Sequence, residues 1–291
     1  MPYPTTMRAA RLYGPGDLRL ETIPVRDPDP DEVVVRLRAN GLCGSDLHFY
    51  EDGKLGPFTV TEPYTPGHEA SGTVVHAAAT SAGPEVGQRV AIEPGIPCRR
   101  CEFCKSGRYN LCPDVVFLSA PPIDGTFAEY VTLAADFAHP LPDAVDDEAG
   151  AFVEPVSVGI QACRRAGLRA GDTFAVLGAG PIGLVTMAVA YAFGAAEGYA
   201  VDLLDNRLAL ADALGAAATL NAAEDDPVAA IEAWTGGRGV DVVFDTSGSS
   251  AACKLTPEIA RRGGVVTLVG WPEASTFPFN VEMILEKELD V

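Results

Sequence analysis

The stretch TFAVLGAGPIGLVTMAVAYAFG at residues 173–194 decides the fold of the C-terminal half of the chain. Its apolar start, 173–178, predicts a buried strand, and 181–194 is apolar nearly all round, which predicts a buried helix. The pattern G-x-G-x-x-G lies between them, and its candidate cofactor residues are Gly178, Gly180, Pro181, Ile182 and Gly183. Glycines at this spacing allow a tight turn, let a pyrophosphate approach the backbone and bring helix and strand together. The proline suits the first turn of a helix, where its missing N–H is not needed. A G-x-G-x-x-G between a strand and a helix predicts a dinucleotide site at the helix N-terminus.

Strands and helices alternate through the rest of this half. Further strands are predicted at 198–202, 218–220, 240–248 and 265–270, and further helices at 206–215, 226–234 and 250–264. This alternation predicts an α/β fold with a doubly wound parallel sheet. A dinucleotide-binding sheet of this type has six strands. The sixth would begin near ELDV at 288–291, so we expect a truncated sixth strand.

Two charged residues follow the second strand of this sheet. Asp202 ends that strand, where a carboxylate accepts hydrogen bonds from ribose hydroxyls and repels a 2′-phosphate, which favours NAD over NADP. The alternative is a solvated carboxylate at a strand end. Arg207 would touch the ribose or simply be exposed on the next helix.

The first half of the chain differs in composition and pattern. It is rich in glycine, proline and short β-type runs, at 32–39, 70–78, 88–94 and 126–133. Such runs separated by turn signals predict a β-barrel-like domain with long loops. The segment 151–170 carries apolar residues at 156, 160 and 163, a spacing that predicts a helix joining the halves. We therefore predict domains at 1–155 and 156–291.

Composition limits the classes of function. The chain has 291 residues, 47% of them hydrophobic, and a formal net charge of −19. Because such a surface repels a phosphate backbone, nucleic acid is not expected as a partner. The sequence shows no apolar run of the roughly 18–20 residues that span a bilayer and no apolar signal region at its start. We therefore expect a cytoplasmic protein without a membrane partner.

Four of the seven cysteines lie in CRRCEFCKSGRYNLC at 98–112. They are Cys98, Cys101, Cys104 and Cys112, spaced C-x2-C-x2-C-x7-C. Four thiolates suit a closed, tetrahedral zinc site that folds a polar loop and leaves no position for a substrate. Free thiols or an iron–sulfur cluster are the alternatives. Cys163 and Cys253 lie in predicted helices and are interpreted as core residues.

The remaining cysteine, Cys43, predicts a second metal site. It lies in NGLCGSDLHFY at 40–50, and His68 with Glu69 follows a Pro-Gly turn further on. Glu154 comes before a proline at the domain boundary. Three protein ligands with one open position define a catalytic zinc site. The alternative is that each is a polar loop residue.

Several motifs together resemble the zinc-dependent medium-chain alcohol dehydrogenases. They are GLCGSDLHFY, PGHEASGTV, GQRVAIEPG, the four-cysteine segment, DGTFAEYV, EPVSVGIQACRR and GAGPIG. Within that family, AIEPG, GRYNLCP and EPVSVGIQACRR are most similar to the sorbitol (polyol) dehydrogenases. The resemblance implies a GroES-like β-barrel catalytic domain, a Rossmann domain that binds NAD, and an active site in the cleft between them.

The resemblance also assigns individual residues. Cys43, His68 and Glu69 would hold a catalytic Zn²⁺, and Glu154 would be a fourth ligand or hold a water bound to the metal. Ser45 and His48 would relay the substrate proton to solvent, and Tyr50 and Phe117 would line the substrate pocket. The four-cysteine segment would bind a structural Zn²⁺.

The implied activity is hydride transfer from a secondary alcohol of a polyol to NAD, which gives a ketose. L-Threonine or 2,3-butanediol dehydrogenase activity is the alternative within the family, and a non-catalytic, truncated NAD-binding protein is the alternative outside it. Family members are dimers or tetramers, so a homo-oligomer is expected. They also continue for tens of residues, through a sixth strand and back into the catalytic domain, which this chain would lack.

Overall fold

The computed structural model describes residues 3–80, 82–272, 274–277 and 279–291. The chain divides into two compact units, Met1–Glu154 and Pro155–Val291. No helix among the described residues combines the length and the apolar character needed to cross a membrane.

The first unit is built around an antiparallel sheet. The strands of the whole unit are β1 (Thr6–Gly14), β2 (Asp17–Pro24), β3 (Glu32–Asn40), β4 (Lys54–Leu55), β5 (Phe58–Thr59), β6 (Ala70–His76), β7 (Arg89–Ile92), β8 (Gly95–Ile96), β9 (Val116–Phe117), β10 (Tyr130–Ala134) and β11 (Ala138–Pro140). The main sheet has the order β10-β3-β6-β7-β11, and β1 pairs with β2 in a separate hairpin. Every one of these pairs is antiparallel.

Alternating side chains of the main sheet form the core of this unit. Val33, Val35, Val74, Val90 and Leu133 are almost completely buried and belong to one cluster. Short helices lie in the connections: α1 (Gly44–Asp52), α2 (Glu102–Lys105) and α3 (Asp147–Ala151). The predicted strand at 126–133 begins only at Tyr130.

The second unit is a parallel sheet with helices between its strands. The strands are β12 (Thr173–Leu177), β13 (Glu197–Asp202), β14 (Ala218–Asn221), β15 (Val240–Asp245) and β16 (Ala260–Leu268), in the order β14-β13-β12-β15-β16. The helices are α4 (Val153–Arg165), α5 (Pro181–Ala192), α6 (Asp205–Ala213), α7 (Pro227–Trp234), α8 (Ser250–Ile259) and α9 (Val281–Lys287). The predicted α/β fold with a doubly wound parallel sheet is confirmed.

Next to β16, the chain returns to the sheet near its last residues. Asp290 forms a parallel bridge with Val265, and the Val266 N–H donates to the Asp290 carbonyl at 2.8 Å. This is the place where the sequence predicts the start of a sixth strand.

One predicted helix boundary was wrong. The helix expected at 250–264 ends at Ile259, and β16 begins with Ala260, which pairs with Val240. The Arg261 Nε donates to Asp241 on the neighbouring strand at 2.6 Å, which holds this part of the chain extended against β15. This ion pair joins residues far apart in sequence, so the local pattern does not reveal it.

The predicted joining helix exists as α4, but its buried face differs from the prediction. Ile160 is 36% exposed, whereas Gly159 and Cys163 are buried. A Cβ atom at position 159 would lie 2.9 Å from the Val185 side chain and 3.3 Å from the backbone of Thr186 in α5. The helices approach each other closely over this glycine, so small residues rather than Ile160 face the core. Cys163 and Cys253 are buried, as predicted.

Candidate functional site

The structure brings three predicted metal ligands of the first unit together. The donor atoms of Cys43, His68 and Glu69 all lie within 4.8 Å of one another. Cys43 is the N-cap of α1, while His68 and Glu69 directly precede β6. Both of these side chains are buried, and the cysteine is partly exposed. A thiol, an imidazole and a carboxylate in this arrangement form a typical zinc donor set.

Two glycines shape the backbone around these donors. Gly67 has φ +93°, and its N–H donates to the Asp46 carboxylate at 3.1 Å. Gly41 donates its N–H to the Glu69 carbonyl at 2.7 Å. A Cβ atom at position 41 would lie only 2.0 Å from the Glu69 Oε2 atom. The third ligand therefore occupies space that only glycine leaves open.

The electrostatics of this cluster favour a bound cation. Burial raises the pKa of the Cys43 thiol, and the hydrogen bond with Ser45 partly opposes that effect. Burial also raises the pKa of the Glu69 carboxyl, against the lowering effect of His68. Burial of acidic groups disfavours their charged forms. Since a divalent cation would stabilise those charged forms, the residues present fit a zinc ion.

Glu154, at the start of α4, lies outside the group of three donors. Burial raises the pKa of its carboxyl, the charges of Glu69 and Asp46 act in the same direction, and His68 opposes them. These couplings put Glu154 in the electrostatic field of the cluster. They are compatible with either of its predicted roles, as a ligand or as a partner of a water on the metal.

Asp46 is a further residue of the cluster, and the sequence analysis gave it no role. Its side chain is 4% exposed and accepts the N–H of Cys43 at 3.0 Å. Its Oδ1 atom lies 4.0 Å from the Nδ1 atom of His68, which has no hydrogen-bond partner among the described residues. Asp46 is the N3 residue of α1, and the spacing of a capping box with Cys43 is the signal that could have identified it.

The other predicted catalytic and substrate residues lie at different distances from the cluster. Ser45 is hydrogen-bonded to Cys43, and the ring centre of Phe117 lies 5.5 Å from that of His68. The His48 imidazole is exposed, with its Nδ1 atom 3.5 Å from Asp52. Tyr50 lines an apolar cavity of about 190 Å³ that Asp46 also borders.

The four-cysteine segment forms a second cluster in the first unit. The donor atoms of Cys98, Cys101, Cys104 and Cys112 lie within 4.8 Å of one another, and all four thiols are free. The Cys101 and Cys104 sulfur atoms are 3.3 Å apart, far beyond the length of a disulfide bond. This geometry fits four separate ligands around one ion.

The pKa values of two thiols in this cluster also fit a metal site. The backbone N–H groups of Arg100 and Cys101 lower the pKa of the Cys98 thiol to about 7. Desolvation, together with hydrogen bonds to the neighbouring thiols, raises the pKa of Cys104 to about 12. The Cys104 thiol therefore stays protonated near neutral pH without a cation, and a zinc ion would displace its proton.

The glycine-rich turn of the second unit has the shape of a phosphate cradle. Gly178 follows β12 with φ +100°, and a Cβ atom at Gly183 would lie 1.9 Å from the Gly178 carbonyl oxygen. At Gly180, a guanidinium nitrogen of Arg207 at 4.0 Å is the only atom of the described residues, chain neighbours aside, that comes within 4 Å of such a Cβ. The space over Gly180 is therefore open for a ligand at the N-terminus of α5, where Pro181 is the first residue.

This turn opens into a cavity of about 610 Å³ that Asp202 and Arg207 also line. The Asp202 carboxylate is 8% exposed and accepts the N–H groups of Ala179 at 2.7 Å and Leu203 at 2.8 Å. It is therefore not the solvated carboxylate of the alternative interpretation. The Arg207 side chain is 45% exposed, 3.5 Å from Asp202. Ile182 is partly exposed beside this turn.

The loop after β15 borders the same cavity, and sequence reasoning did not include it. The Thr246 hydroxyl donates to the Gly178 carbonyl at 2.6 Å, and a Cβ atom at Gly178 would lie 2.9 Å from Ser247. The Ser247 hydroxyl donates in turn to the buried Asp245 carboxylate at 2.7 Å. The polar run DTSG directly after an apolar strand was the available signal.

Two family models match this chain. Residues 29–143 match the model of the alcohol dehydrogenase GroES-like domain, and residues 181–291 match that of zinc-binding dehydrogenases. A sorbitol dehydrogenase of Bacillus subtilis is 43% identical over 288 residues, which cover 99% of this chain and 82% of the relative.

Solved structures show the same similarity. An Escherichia coli oxidoreductase of unknown specificity superimposes with a TM-score of 0.93 at 36% identity, over 98% of this chain and 82% of that protein. The 2R,3R-butanediol dehydrogenase of Bacillus subtilis superimposes with a TM-score of 0.88 at 35% identity, over 98% of this chain and 83% of that protein.

Proposed function

Because the chain belongs to the zinc-dependent medium-chain alcohol dehydrogenase family, we propose that it oxidises a secondary alcohol of a polyol to a ketose with NAD. The observation that carries this proposal is the group formed by Cys43, His68 and Glu69, in a chain that also has a glycine-rich dinucleotide cradle. We further propose residues 1–155 as the catalytic domain and 156–291 as the NAD-binding domain.

We assign the catalytic zinc to Cys43, His68 and Glu69, with Glu154 as a ligand or as the partner of a water on the metal. Zinc in such a site supplies a Lewis acid that lowers the pKa of a hydroxyl group by several units. The buried protein side chains exclude bulk water from this region, which strengthens the electrostatic interactions within it.

Ser45 and His48 are our candidates for moving the substrate proton. Ser45 is hydrogen-bonded to Cys43, so its hydroxyl lies beside the donor cluster. His48 follows one turn later on α1 and is exposed, so its imidazole can exchange a proton with solvent. Relay by positioned side chains is typically worth about 10²–10⁴-fold in rate.

The cofactor proposal rests on the second unit. The backbone of Gly178, Gly180 and Gly183 would hold the pyrophosphate, and NAD bound there supplies the hydride acceptor. The buried Asp202 carboxylate puts a negative charge at the ribose end of the cavity, where it disfavours a 2′-phosphate. Arg207 beside it would contact the ribose, with its charge partly neutralised by Asp202.

The polyol class is supported by the donor set and by the relatives. Carboxylate ligands make a metal site harder and more polar than additional thiolates would, which suits a substrate with several hydroxyl groups. Sorbitol dehydrogenase is the activity of a relative that aligns with nearly the whole chain. Tyr50 and Phe117 are our candidates for the pocket wall, and Phe117 already contacts the ring of His68.

A substrate panel tests the proposal. The purified chain, with its zinc content measured, is assayed with sorbitol, xylitol, ribitol, 2,3-butanediol and L-threonine, each with NAD and NADP. We expect two zinc ions per chain and NAD reduction with at least one polyol in preference to butanediol and threonine. Fastest turnover of 2,3-butanediol would favour the activity of the relative with that name. No turnover of any alcohol with both zinc ions bound would contradict an enzymatic function.

Two further properties are proposals that rest on the resemblance. We infer a homo-oligomer, either a dimer or a tetramer, and a cytoplasmic location. Light scattering coupled to size-exclusion chromatography measures the oligomeric state. The proposed activity on a small-molecule substrate requires neither property.

The space that Gly41 leaves for Glu69 gives a direct prediction about the metal centre. We expect Gly41→Ala to displace the Glu69 carboxylate, since the new Cβ would overlap its Oε2 atom at 2.0 Å. Disturbed metal ligation of this kind typically costs about 10–100-fold in metal affinity or activity. Zinc content and kcat/KM for the best polyol measure it.

Gly44→Ala is the matched control for this prediction. Gly44 is the first residue of α1, directly after Cys43, and apart from its chain neighbours and the backbone of its own helix none of the described atoms lies within 4 Å of the position of its missing Cβ. This variant should keep wild-type zinc content and kcat/KM. Equal behaviour of the two variants would show that the contact between Gly41 and Glu69 does not matter.

A further inference from the structure

Ser119 has an unusual backbone conformation next to the candidate metal centre. Among the described residues, three that are not glycine have positive φ angles, namely Arg99, Ser119 and Glu288, and Ser119 is the buried one, at 3% exposure. Its φ is +73°, in a turn closed by the hydrogen bond from the Ala120 N–H to the Phe117 carbonyl at 3.1 Å. Glycine would adopt this conformation at no steric cost, so the serine side chain has a reason to be there.

The Ser119 hydroxyl joins two parts of the metal-binding region. It accepts the N–H of Gly67 at 3.0 Å and donates to the Asp46 Oδ1 atom at 3.2 Å. The same Gly67 N–H also donates to Asp46 Oδ1 at 3.1 Å. The three groups form a closed, buried triangle, and Gly67 directly precedes His68 in the chain.

The triangle leads to the His68 ligand along two paths. Asp46 Oδ1 lies 4.0 Å from the Nδ1 atom of His68, and Phe117, two residues before Ser119, packs its ring against the His68 ring at 5.5 Å. One short turn therefore packs a tilted aromatic ring against the imidazole and holds the carboxylate near its Nδ1 atom.

We propose that Ser119 is a positioning residue for the metal centre, acting on His68 through Asp46 and Gly67. This inference rests on the proposed function, since it assigns a zinc ion to His68. Without the hydroxyl, Asp46 loses a buried donor that fixes its side-chain rotation, and Gly67 keeps a single acceptor. Replacing a group that orients the ligands of a metal typically costs about 10–100-fold in metal affinity or activity.

Two substitutions separate the hydroxyl from the backbone strain. Ser119→Ala and Ser119→Gly both remove the hydroxyl, but only glycine also relieves the left-handed conformation. We expect both variants to release one of the two zinc ions at a roughly 10-fold lower concentration of a zinc chelator than the wild type. The glycine variant should melt at a higher temperature than the alanine variant.

Catalysis and spectroscopy give independent readouts. We expect kcat/KM for the best polyol to fall about 10-fold in both variants, with the KM for NAD unchanged because the dinucleotide cavity lies in the second unit. In the cobalt-substituted protein, both variants should shift the ligand-field absorption bands. The second zinc ion, held by the four cysteines, serves as an internal control and should be released as in the wild type.

Two outcomes would overturn the proposal. Wild-type zinc release in both variants would show that the hydroxyl does not position a ligand. A defect in the alanine variant that glycine fully restores would show that only the turn conformation matters. The zinc measurement needs no substrate, so a protein that binds zinc but oxidises no alcohol would refute the proposed function while leaving the Ser119 comparison intact.

Discussion

Replacing Cys43 by serine is expected to abolish turnover while the protein stays folded and still binds NAD. A serine hydroxyl is a much poorer zinc ligand than a thiolate, so the catalytic zinc would be lost from the group it forms with His68 and Glu69. Loss of metal assistance removes several kcal/mol of transition-state stabilisation, or about 10³-fold or more in rate. The measurements are kcat, zinc per chain, which should fall from two to one, and NAD binding by calorimetry.

Cys163→Ser is the matched control for this result. It makes the same chemical change at a buried thiol of α4, which donates a hydrogen bond to the Thr186 carbonyl at 3.8 Å and lies in neither cysteine cluster. This variant should lose some stability but retain both zinc ions and full kcat/KM. Normal turnover in Cys43→Ser would refute the catalytic role of this cluster, whereas loss of NAD binding would indicate a wider folding defect.

Replacing Cys101 by serine should have the opposite effect, with stability lost before catalysis. Cys101 lies 3.3 Å from Cys104 and caps α2, so its replacement would remove one of the four proposed ligands and weaken the zinc binding that we expect to hold the loop 98–112 closed. A covalent cross-link closing a loop of this length is worth about 3 kcal/mol, which corresponds to a drop in Tm of roughly 5 °C for a protein of this size. Differential scanning calorimetry and limited proteolysis of the loop measure this effect.

The two cysteine variants serve as controls for each other. Each should contain one zinc ion, but only Cys101→Ser should melt early and be cleaved within 98–112. Its initial rate per folded molecule, measured well below its Tm, should stay within a few-fold of the wild type. A complete loss of turnover in correctly folded Cys101→Ser would contradict the closed, structural role assigned to this cluster.

The alternation of strands and helices after residue 173 was sufficient to predict the parallel sheet, and the glycine pattern at 178–183 was sufficient to predict the turn after its first strand. Gly178 needs a positive φ, and Gly183 lies where a side chain would strike the Gly178 carbonyl. The end of α8 could not be predicted in this way. It depends on the contact between Arg261 and Asp241, which belong to different strands. The exposed Ile160 was misjudged for the same reason, since the close approach of α5 decides which face of α4 is buried.

The same distinction applies to the candidate metal centre. Cys43, His68 and Glu69 have chemically distinctive side chains, so their types and local motifs were enough to propose them. Asp46 and Ser119 are ordinary polar residues whose importance comes from a triangle of hydrogen bonds across the fold. Spacing in the sequence carries no information about such contacts, except for the capping-box relation between Cys43 and Asp46.

The interlocking of the two loops around the dinucleotide cavity has a consequence for binding. Thr246 ties the loop after β15 to the Gly178 carbonyl, and Asp245 holds Ser247 against the same glycine. These loops therefore lose their conformational freedom when the chain folds, before any cofactor arrives. A dinucleotide meets a preorganised surface, and less of its intrinsic binding energy is consumed in ordering the protein. A nicotinamide cofactor that must be exchanged after every reaction cycle then needs no refolding of its binding site at each turnover.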